Sequence, residues 1–243
     1  MVSASIRGDG SSRFAPNTRW GYFPAASVGW RVSDESFMKD ATWLDDLKLR
    51  ASIGQTGNAQ IGNSEYLALY GSANLDLGNG IVNQVYPNQI ANNDLRWEKN
   101  TQSNIGLDAT LWKGLFGINL DLYYSKTTDM LYFYSLASSS GYGGYYDNLG
   151  DMRNSGVEIA LNGNIINRSE MRLDVYANAT HYTNKVTMLP DENKTVEHDG
   201  HWGFENGSNF IAEGLPLTTF FMPKYAGVDK TNGLPMWYKD ILD

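Results

Sequence analysis

The segment FGINLDLYYSKTTDMLYF, residues 116–133, decides the fold of this chain. From Phe116 to Tyr124 the even positions are apolar or aromatic, whereas the odd positions are mostly small or polar. A period of two residues predicts a β-strand with one oily face and one polar face. The function of the chain then depends on what each face contacts.

The same alternation recurs along the sequence, in residues 19–32, 47–54, 104–112, 157–165 and 171–182. Partial strands are expected at 1–8 and near 217–228, which gives about eight strands in an all-β, antiparallel fold. The helix signal is confined to residues 33–46, where Ser33 or Asp34 could cap a short turn.

Composition restricts the possible functions. Of 243 residues, 19% are charged, 13% are aromatic and 25 are glycine, a composition typical of strands and turns. The net charge of −8 and the lack of a basic cluster argue against nucleic-acid binding. Without cysteine there is no disulfide or thiolate metal site. No segment approaches the ~20 apolar residues of a spanning helix, and the start MVSASIRGDG does not resemble a signal peptide.

Short and long connections alternate along the chain. The links near 112–116 and 167–170 are tight and 33–46 is compact. The links at 55–95, 132–152 and 187–216 are long and rich in Gly, Asn, Ser and Tyr. This asymmetry is typical of an up-and-down transmembrane β-barrel, which has short periplasmic turns and long extracellular loops.

Aromatic residues cluster at both ends of the expected strands. Those near the long loops are Trp20, Tyr22, Trp97, Tyr132, Phe133 and Tyr134, and those near the short turns are Trp30, Trp43, Trp112 and Phe116. Two such levels indicate the two interfaces of a bilayer. The general enrichment of aromatic residues in strands is the alternative explanation.

The favoured interpretation places the oily face against lipid and the polar face around a wet lumen. Eight polar-row residues are expected to line the lumen or contact a plug: Asp108, Asn119, Asp121, Glu158, Asn162, Arg172, Asp174 and Asn178.

Two other architectures fit parts of the pattern. A soluble, carbohydrate-binding β-sandwich would bury Leu120, Leu122, Leu173 and Val175 in its core. A small stand-alone eight-strand outer-membrane barrel, serving as an adhesin or structural protein, would pair its first strand with its last.

Longer motifs add a resemblance to a known family. From about Ser5 to Tyr238 the chain resembles the SusC/RagA family of TonB-linked outer-membrane transporters, in the motifs SIRGDGSSRFAPNTRWGYFPAASVGWRVSDESFMKD, WLDDLKLRASIGQTGN, NNDLRWEKNTQSNIGLDATLW, DLYYSKTTDMLY, NLGDMRNSGVEIALNGNII and EGLPLTTFFMPKYAGVDKTNGLPMWY.

That resemblance implies a 22-stranded barrel with an N-terminal plug in the outer membrane of Bacteroidota. It also implies a SusD-like surface lipoprotein as a lid, and TonB-dependent import of glycans, oligosaccharides or peptides. Against this pattern the sequence shows no plug, no TonB-contacting segment and no closing strand, and its end KDILD has no terminal aromatic residue. Residues 1–243 are therefore interpreted as a partial barrel domain of a longer chain.

Two expected outer loops contain candidate cargo-binding residues. Tyr142, Tyr145 and Tyr146 lie in GYGGYYDNLGDM (141–152), and Trp202 lies in HDGHWGFENG (198–207). Such rings could stack on sugars or contact a lid, although a loop packed on its neighbours without a ligand is the alternative.

Neither metal binding nor catalysis has a clear signal. His198 and His201 could bind a metal with a nearby carboxylate, but a solvated loop explains them better. No motif marks a catalytic pair of carboxylates or an activated serine, so the chain is expected not to be an enzyme and to need no cofactor.

Overall fold

The computed structural model describes residues 1–78, 80–136, 138–148 and 150–238; the end segment KDILD lies outside them. The chain divides into two compact units, Met1–Thr183 and Asn184–Asp243. Within the described ranges there is no α-helix, and the strands are β1 (Val2–Gly10), β2 (Trp20–Arg31), β3 (Leu44–Asn58), β4 (Leu69–Asp76), β5 (Ile81–Gln89), β6 (Glu98–Leu111), β7 (Phe116–Thr128), β8 (Leu131–Ser135), β9 (Gly144–Asn148), β10 (Asp151–Asn167), β11 (Arg172–Met188), β12 (Val196–His198), β13 (His201–Asn206), β14 (Asn209–Ala212), β15 (Tyr225–Val228) and β16 (Pro235–Trp237).

Seven long strands form one sheet, in the order β1-β2-β3-β6-β7-β10-β11. The pairs from β1 to β10 are antiparallel and join strands that follow each other in this order. Strands β1 and β11 lie at opposite edges, so the described strands form an open sheet. This arrangement does not fit a small barrel closed by its own first and last strands.

Register aligns the oily rows of neighbouring strands. Leu49, Leu107, Leu120 and Ile159 are successive partners across β3, β6, β7 and β10. The oily face is uncovered: Leu122, Leu173 and Val175 are 49%, 45% and 49% exposed. A soluble sandwich would bury these side chains between two sheets. That alternative is therefore wrong for the unit that contains them.

The lengths of the strands also match those of transmembrane β-strands. Strands β2, β3, β6, β7, β10 and β11 have 12 to 17 residues each. A tilted strand needs about 9–11 residues to cross the hydrocarbon layer, so each has residues to spare at its ends.

The two ends of the sheet differ as the sequence predicts. One end has the tight turns 112–115 and 168–171 and the compact connection 32–43. At the other end, the connections 59–97 and 129–150 contain the hairpins β4–β5 and β8–β9, which were not predicted.

Two details of the prediction are wrong. The region around residues 33–46 contains the 3₁₀ helices Val32–Asp34 and Ser36–Met38. Ser33 and Asp34 do not cap them, because both lie inside the first helix, where the Ser33 hydroxyl donates to Asp46. The segment near 217–228 adds no eighth strand to the sheet. Its β15 pairs with β16 in a separate two-stranded sheet of the second unit.

The second unit contains a three-stranded sheet in the order β12-β13-β14. Phe210, Ile211 and Ala212 of β14 are buried. The segment 187–216, expected as a long loop, thus contains a small sheet with buried side chains.

A charge on the oily row should destabilise the protein, whereas the same charge on the polar row should be tolerated. Leu122→Arg, in the middle of β7, is expected to cost about 2–4 kcal/mol in the free energy of unfolding from a bilayer. Asn178→Arg, on the polar row of β11, is the matched control. Denaturant unfolding in lipid vesicles measures both, and equal losses would contradict the assignment of the faces.

Candidate functional site

Buried apolar side chains pack between the long connections at one end of the sheet. Phe14, Phe23, Ile61, Leu95 and Trp97 form this outer cluster. The Trp97 ring lies 5.4 Å from Phe14 and 5.5 Å from Phe23 between centroids. The predicted place of Trp97 at a bilayer interface is wrong, because its ring is buried among these neighbours.

Hydrogen bonds around the outer cluster join the β1–β2 and β3–β6 connections. The Trp97 Nε1–H donates to the Arg19 carbonyl at 2.9 Å. The Thr18 hydroxyl donates to the Leu95 carbonyl at 2.7 Å, and Arg13 donates to the Ala59 carbonyl at 2.8 Å. These contacts hold the two connections in a fixed relation.

A second set of hydrogen bonds fixes the base of the β8–β9 hairpin. The Asn148 amide accepts from the Arg96 backbone N–H at 2.8 Å and donates to the carbonyls of Arg96 and Asp129 at 2.9 and 2.7 Å. The Arg96 guanidinium donates to the Asp129 carboxylate at 2.7 Å, and this bond raises the pKa of Arg96. Asn92 donates to the Asp147 carboxylate at 2.9 Å. The hairpin is therefore anchored at its base.

The structure brings the three candidate tyrosines to one hairpin. Tyr145 meets Tyr134 edge to face, with 5.9 Å between ring centroids. Tyr146 meets Phe133 at 5.4 Å and packs against the outer cluster. Tyr142 lies in the turn before β9, where its N–H donates to the Ser140 hydroxyl. Tyr146 thus has a packing role as well.

Trp202 belongs to the second unit, on β13, and its side chain is 51% exposed. Its cross-strand partner is Glu197. It is not part of the tyrosine hairpin, so the four candidate residues form two separate sets.

The two histidines named as possible metal ligands have other contacts. His198 lies 3.3 Å from the Glu205 carboxylate, with the Phe221 ring 4.3 Å away. His201 Nδ1 lies 2.9 Å from the Glu213 carbonyl. Over the described part of the chain, no group of three His, Cys, Asp or Glu side chains is arranged to hold a metal ion.

The polar face of the sheet carries an ion network centred on Arg50. Its guanidinium donates to Asp108 on β6 at 2.8 Å and to Asp121 on β7 at 2.8 Å. Asn119 donates to Asp108 at 2.9 Å. Gly106 lies beneath the guanidinium, since a Cβ there would come within 2.5 Å of Arg50 Cζ. A larger residue at this position would push the two partners apart.

The other predicted lumen residues lie along the same polar rows. Glu158 is the register partner of Asp121. Arg172 pairs with Asp174 at 2.7 Å on β11, where Asn178 is exposed. The Asn162 amide lies over Gly117, where a Cβ would clash with it.

Sequence reasoning missed the residues that organise these sites. Arg50 lies in the polar row of LKLRASIG, and this position predicted the correct face of the sheet. It did not predict the ion pairs with Asp108 and Asp121. Asn92 and Asn148 are asparagines in loops rich in that residue. Their type is typical of turns, and nothing in their spacing marks them as anchors.

Comparison with known proteins identifies the family to which this chain belongs. Residues 1–232 match the family model described as "TonB dependent receptor-like, beta-barrel". The chain belongs to this family of outer-membrane receptors. TonB-dependent receptor P39 of Formosa agariphila is 37% identical over 94% of this chain and 21% of its own length.

TonB-dependent receptor SusC of Bacteroides thetaiotaomicron is 35% identical over 97% of this chain and 24% of its own length. A solved structure titled as that of the RagAB peptide transporter superposes with a TM-score of 0.82. It is 31% identical over 98% of this chain and 25% of the matched chain. This chain thus spans about a fifth to a quarter of these family members.

Family membership confirms the predicted resemblance, the all-β barrel class and the outer-membrane location. No helix in the described ranges is both long and apolar enough to cross a membrane. Exposed aromatic rings remain at both ends of the sheet, with Trp20 and Tyr22 at one end and Trp43 and Trp112 at the other. This placement is the one that bilayer interfaces favour.

Removing the Asn148 amide should loosen the tyrosine hairpin. Asn148→Ala leaves the Arg96 N–H and two carbonyls without this partner, so we expect a loss of about 1–3 kcal/mol in the local opening free energy. Hydrogen exchange of residues 131–148 in the full protein measures it. Asn83→Ala, on an exposed strand, is the control. Unchanged exchange in the Asn148 variant would contradict the anchoring role.

Proposed function

We propose that this chain forms part of the bore wall of a TonB-dependent importer that takes up oligosaccharides or peptides. The main support is the two-faced sheet: oily rows exposed on one side, and the Arg50 network and other polar side chains on the opposite side. Because relatives are several times longer, the transport activity is assigned to a longer protein, which supplies the plug, the TonB-contacting segment and the remaining strands.

Both cargo classes are compatible with the tyrosine hairpin. The similar RagAB complex is named as a peptide transporter. Aromatic rings stack on sugar faces as well as on peptide side chains, so Tyr142, Tyr145, Tyr146 and Trp202 are proposed as cargo contacts. Tyr145 is the strongest of the four, because its hairpin is anchored and its ring is not part of the outer cluster.

Uptake by cells tests the transport proposal. Cells with the intact gene should accumulate a labelled oligosaccharide pool or a labelled oligopeptide pool, and a protonophore should abolish the accumulation. Gene disruption should have the same effect. Accumulation of neither pool, or uptake unaffected by the protonophore, would contradict the proposal.

The role of Tyr145 has its own prediction. Tyr145→Ala should reduce the uptake rate at low cargo concentration roughly 2- to 10-fold, the equivalent of one aromatic contact. Tyr22→Ala makes the same substitution on the membrane-facing row and should leave uptake unchanged. Equal rates in wild type and the Tyr145 variant would remove this residue from the proposed cargo site.

We further propose that the β4–β5 hairpin contacts a SusD-like surface lipoprotein. Tyr70, Ile81 and Val85 share one face of the hairpin and are 72%, 72% and 68% exposed. Leu75 and Val82, on the opposite face, are each 44% exposed. A hairpin with apolar side chains on both faces suits a protein cleft that encloses it, because a flat surface would cover one face only.

Charged substitutions on this hairpin test the lid contact. The double variant Ile81→Asp with Val85→Asp should weaken co-purification of the lipoprotein roughly tenfold or more, as loss of a central apolar contact does. The double variant Asn74→Asp with Asn83→Asp adds the same charge to the same hairpin face at positions that are already polar. If both double variants retain the lipoprotein as well as wild type does, the hairpin is not the contact.

A further inference from the structure

The oily face of the sheet has a groove near its short-turn end. Its volume is about 510 Å³, within the range of roughly 300–1,000 Å³ usual for ligand pockets. Strands β6, β7, β10 and β11 all contribute to it, and its main lining side chains are Trp112, Phe116, Ile118, Leu161, Ile165 and Val175. Apart from Asn162, every residue that lines the groove is apolar or glycine, so its occupant must be apolar too.

Gly163 interrupts the oily row of β10 beside the groove, and it is buried under its neighbours Phe116 and Ile165. On β10 the oily face is formed by Val157, Ile159, Leu161 and Ile165, and Gly163 occupies the fourth position of that row. A Cβ at Gly163 would lie 3.1 Å from Ile165 Cδ1 and 3.3 Å from Phe116 Cε1. Methyl-sized additions would therefore be tight there, and a leucine side chain would occupy the groove itself.

Two turns beside the groove carry exposed cations. Lys113 lies in the β6–β7 turn, which Asn164 holds against β10 by donating to the Gly114 carbonyl at 2.8 Å. Arg168 lies in the turn that follows β10. Within the described residues neither cation forms an ion pair, although Asp45 and Glu170 add negative charge nearby.

We propose that this groove is a binding site for one phospholipid of the leaflet that meets the short turns. One acyl chain lies between Phe116 and Val175, and the headgroup phosphate contacts Lys113 and Arg168. The proposal rests on the outer-membrane location of the family and does not depend on which cargo is transported.

The position of the groove favours a lipid over a protein occupant. It is continuous with the exposed oily rows, so it opens into the hydrocarbon layer that those rows contact. Trp43 and Trp112, with ring centroids 6.5 Å apart, lie at the same end, where a headgroup region selects such rings. A phospholipid whose acyl chain enters the groove from that end has its phosphate at the level of the turns.

Native mass spectrometry of the full outer-membrane protein in detergent tests the site. The probes are a phosphatidylethanolamine and a diacylglycerol with the same acyl chains but no phosphate. Wild type should retain one phosphatidylethanolamine, and Gly163→Leu should retain roughly tenfold less. Ala51→Leu, which adds the same side chain to the oily face on β3, should retain as much as wild type.

The cations are tested in the same experiment. The double variant Lys113→Ala with Arg168→Ala should lower phosphatidylethanolamine retention to the level of diacylglycerol, and diacylglycerol retention should be unchanged. Full retention by Gly163→Leu, or equal retention of both lipids by wild type, would overturn the proposal.

A second measurement covers the case in which Gly163→Leu fails to fold. Wild-type protein is photolysed with a phospholipid that carries a diazirine on its acyl chain. Adducts concentrated in residues 111–118 and 161–177 support the site, and adducts spread evenly over the oily face of all seven strands contradict it.

Discussion

A strand that crosses a bilayer must satisfy its whole backbone with protein partners, because hydrocarbon offers no hydrogen bonds. In this chain the requirement is met between neighbouring strands. The β3–β6 ladder is continuous from the Asn58–Glu98 pair to the Asp46–Thr110 pair, and the β6–β7 ladder from the Lys99–Thr128 pair to the Leu111–Phe116 pair. The length of the strands, their antiparallel order and the alternation of their side chains follow from this requirement. Side chains then differ only in which medium they contact, lipid on one face and the bore on the other.

The two faces of the sheet contact different media and therefore carry different side chains. On the oily face, uncharged rows can remain exposed because lipid covers them. On the polar face, charges are present but balanced, since Arg50 is shared between Asp108 and Asp121 and Gly106 leaves room for it. Glycine thus has one role on each face: Gly106 admits a guanidinium, and Gly163 lets Phe116 and Ile165 pack closely over β10. At the end of the sheet with the long connections, the outer cluster around Trp97 and the hydrogen bonds of Asn148 hold those connections in place.

The sequence predicted the parts of the fold that depend on alternation. It located the central section of each long strand and assigned the rows of Leu122 and Asp121 to opposite faces. Strands β6 and β10 begin about six residues earlier than predicted. The additional residues, such as Glu98 to Asn100, are polar on both rows, so no periodicity marks them.

The outer structures depend on contacts that are distant in sequence. Trp97 is buried because Phe14 and Phe23 meet it, and no local pattern distinguishes it from an interfacial tryptophan such as Trp20. The hairpins β4–β5 and β8–β9 lie in segments whose Gly, Asn and Ser content also fits irregular loops. The tyrosine set was found because its residues are adjacent in sequence, whereas its anchors lie up to 55 residues away.

The central claim is that the oily rows face lipid, and spin labels placed singly along residues 117–126 of β7 in the full protein test it most directly. Collision rates with oxygen, which concentrates in hydrocarbon, and with a water-soluble nickel chelate should alternate with a period of two residues. The account predicts oxygen maxima at even positions and chelate maxima at odd positions where the bore is open to water. Oxygen and chelate profiles without alternation, or low collision rates for both reagents at the even positions, would show those rows sealed inside protein and contradict the account.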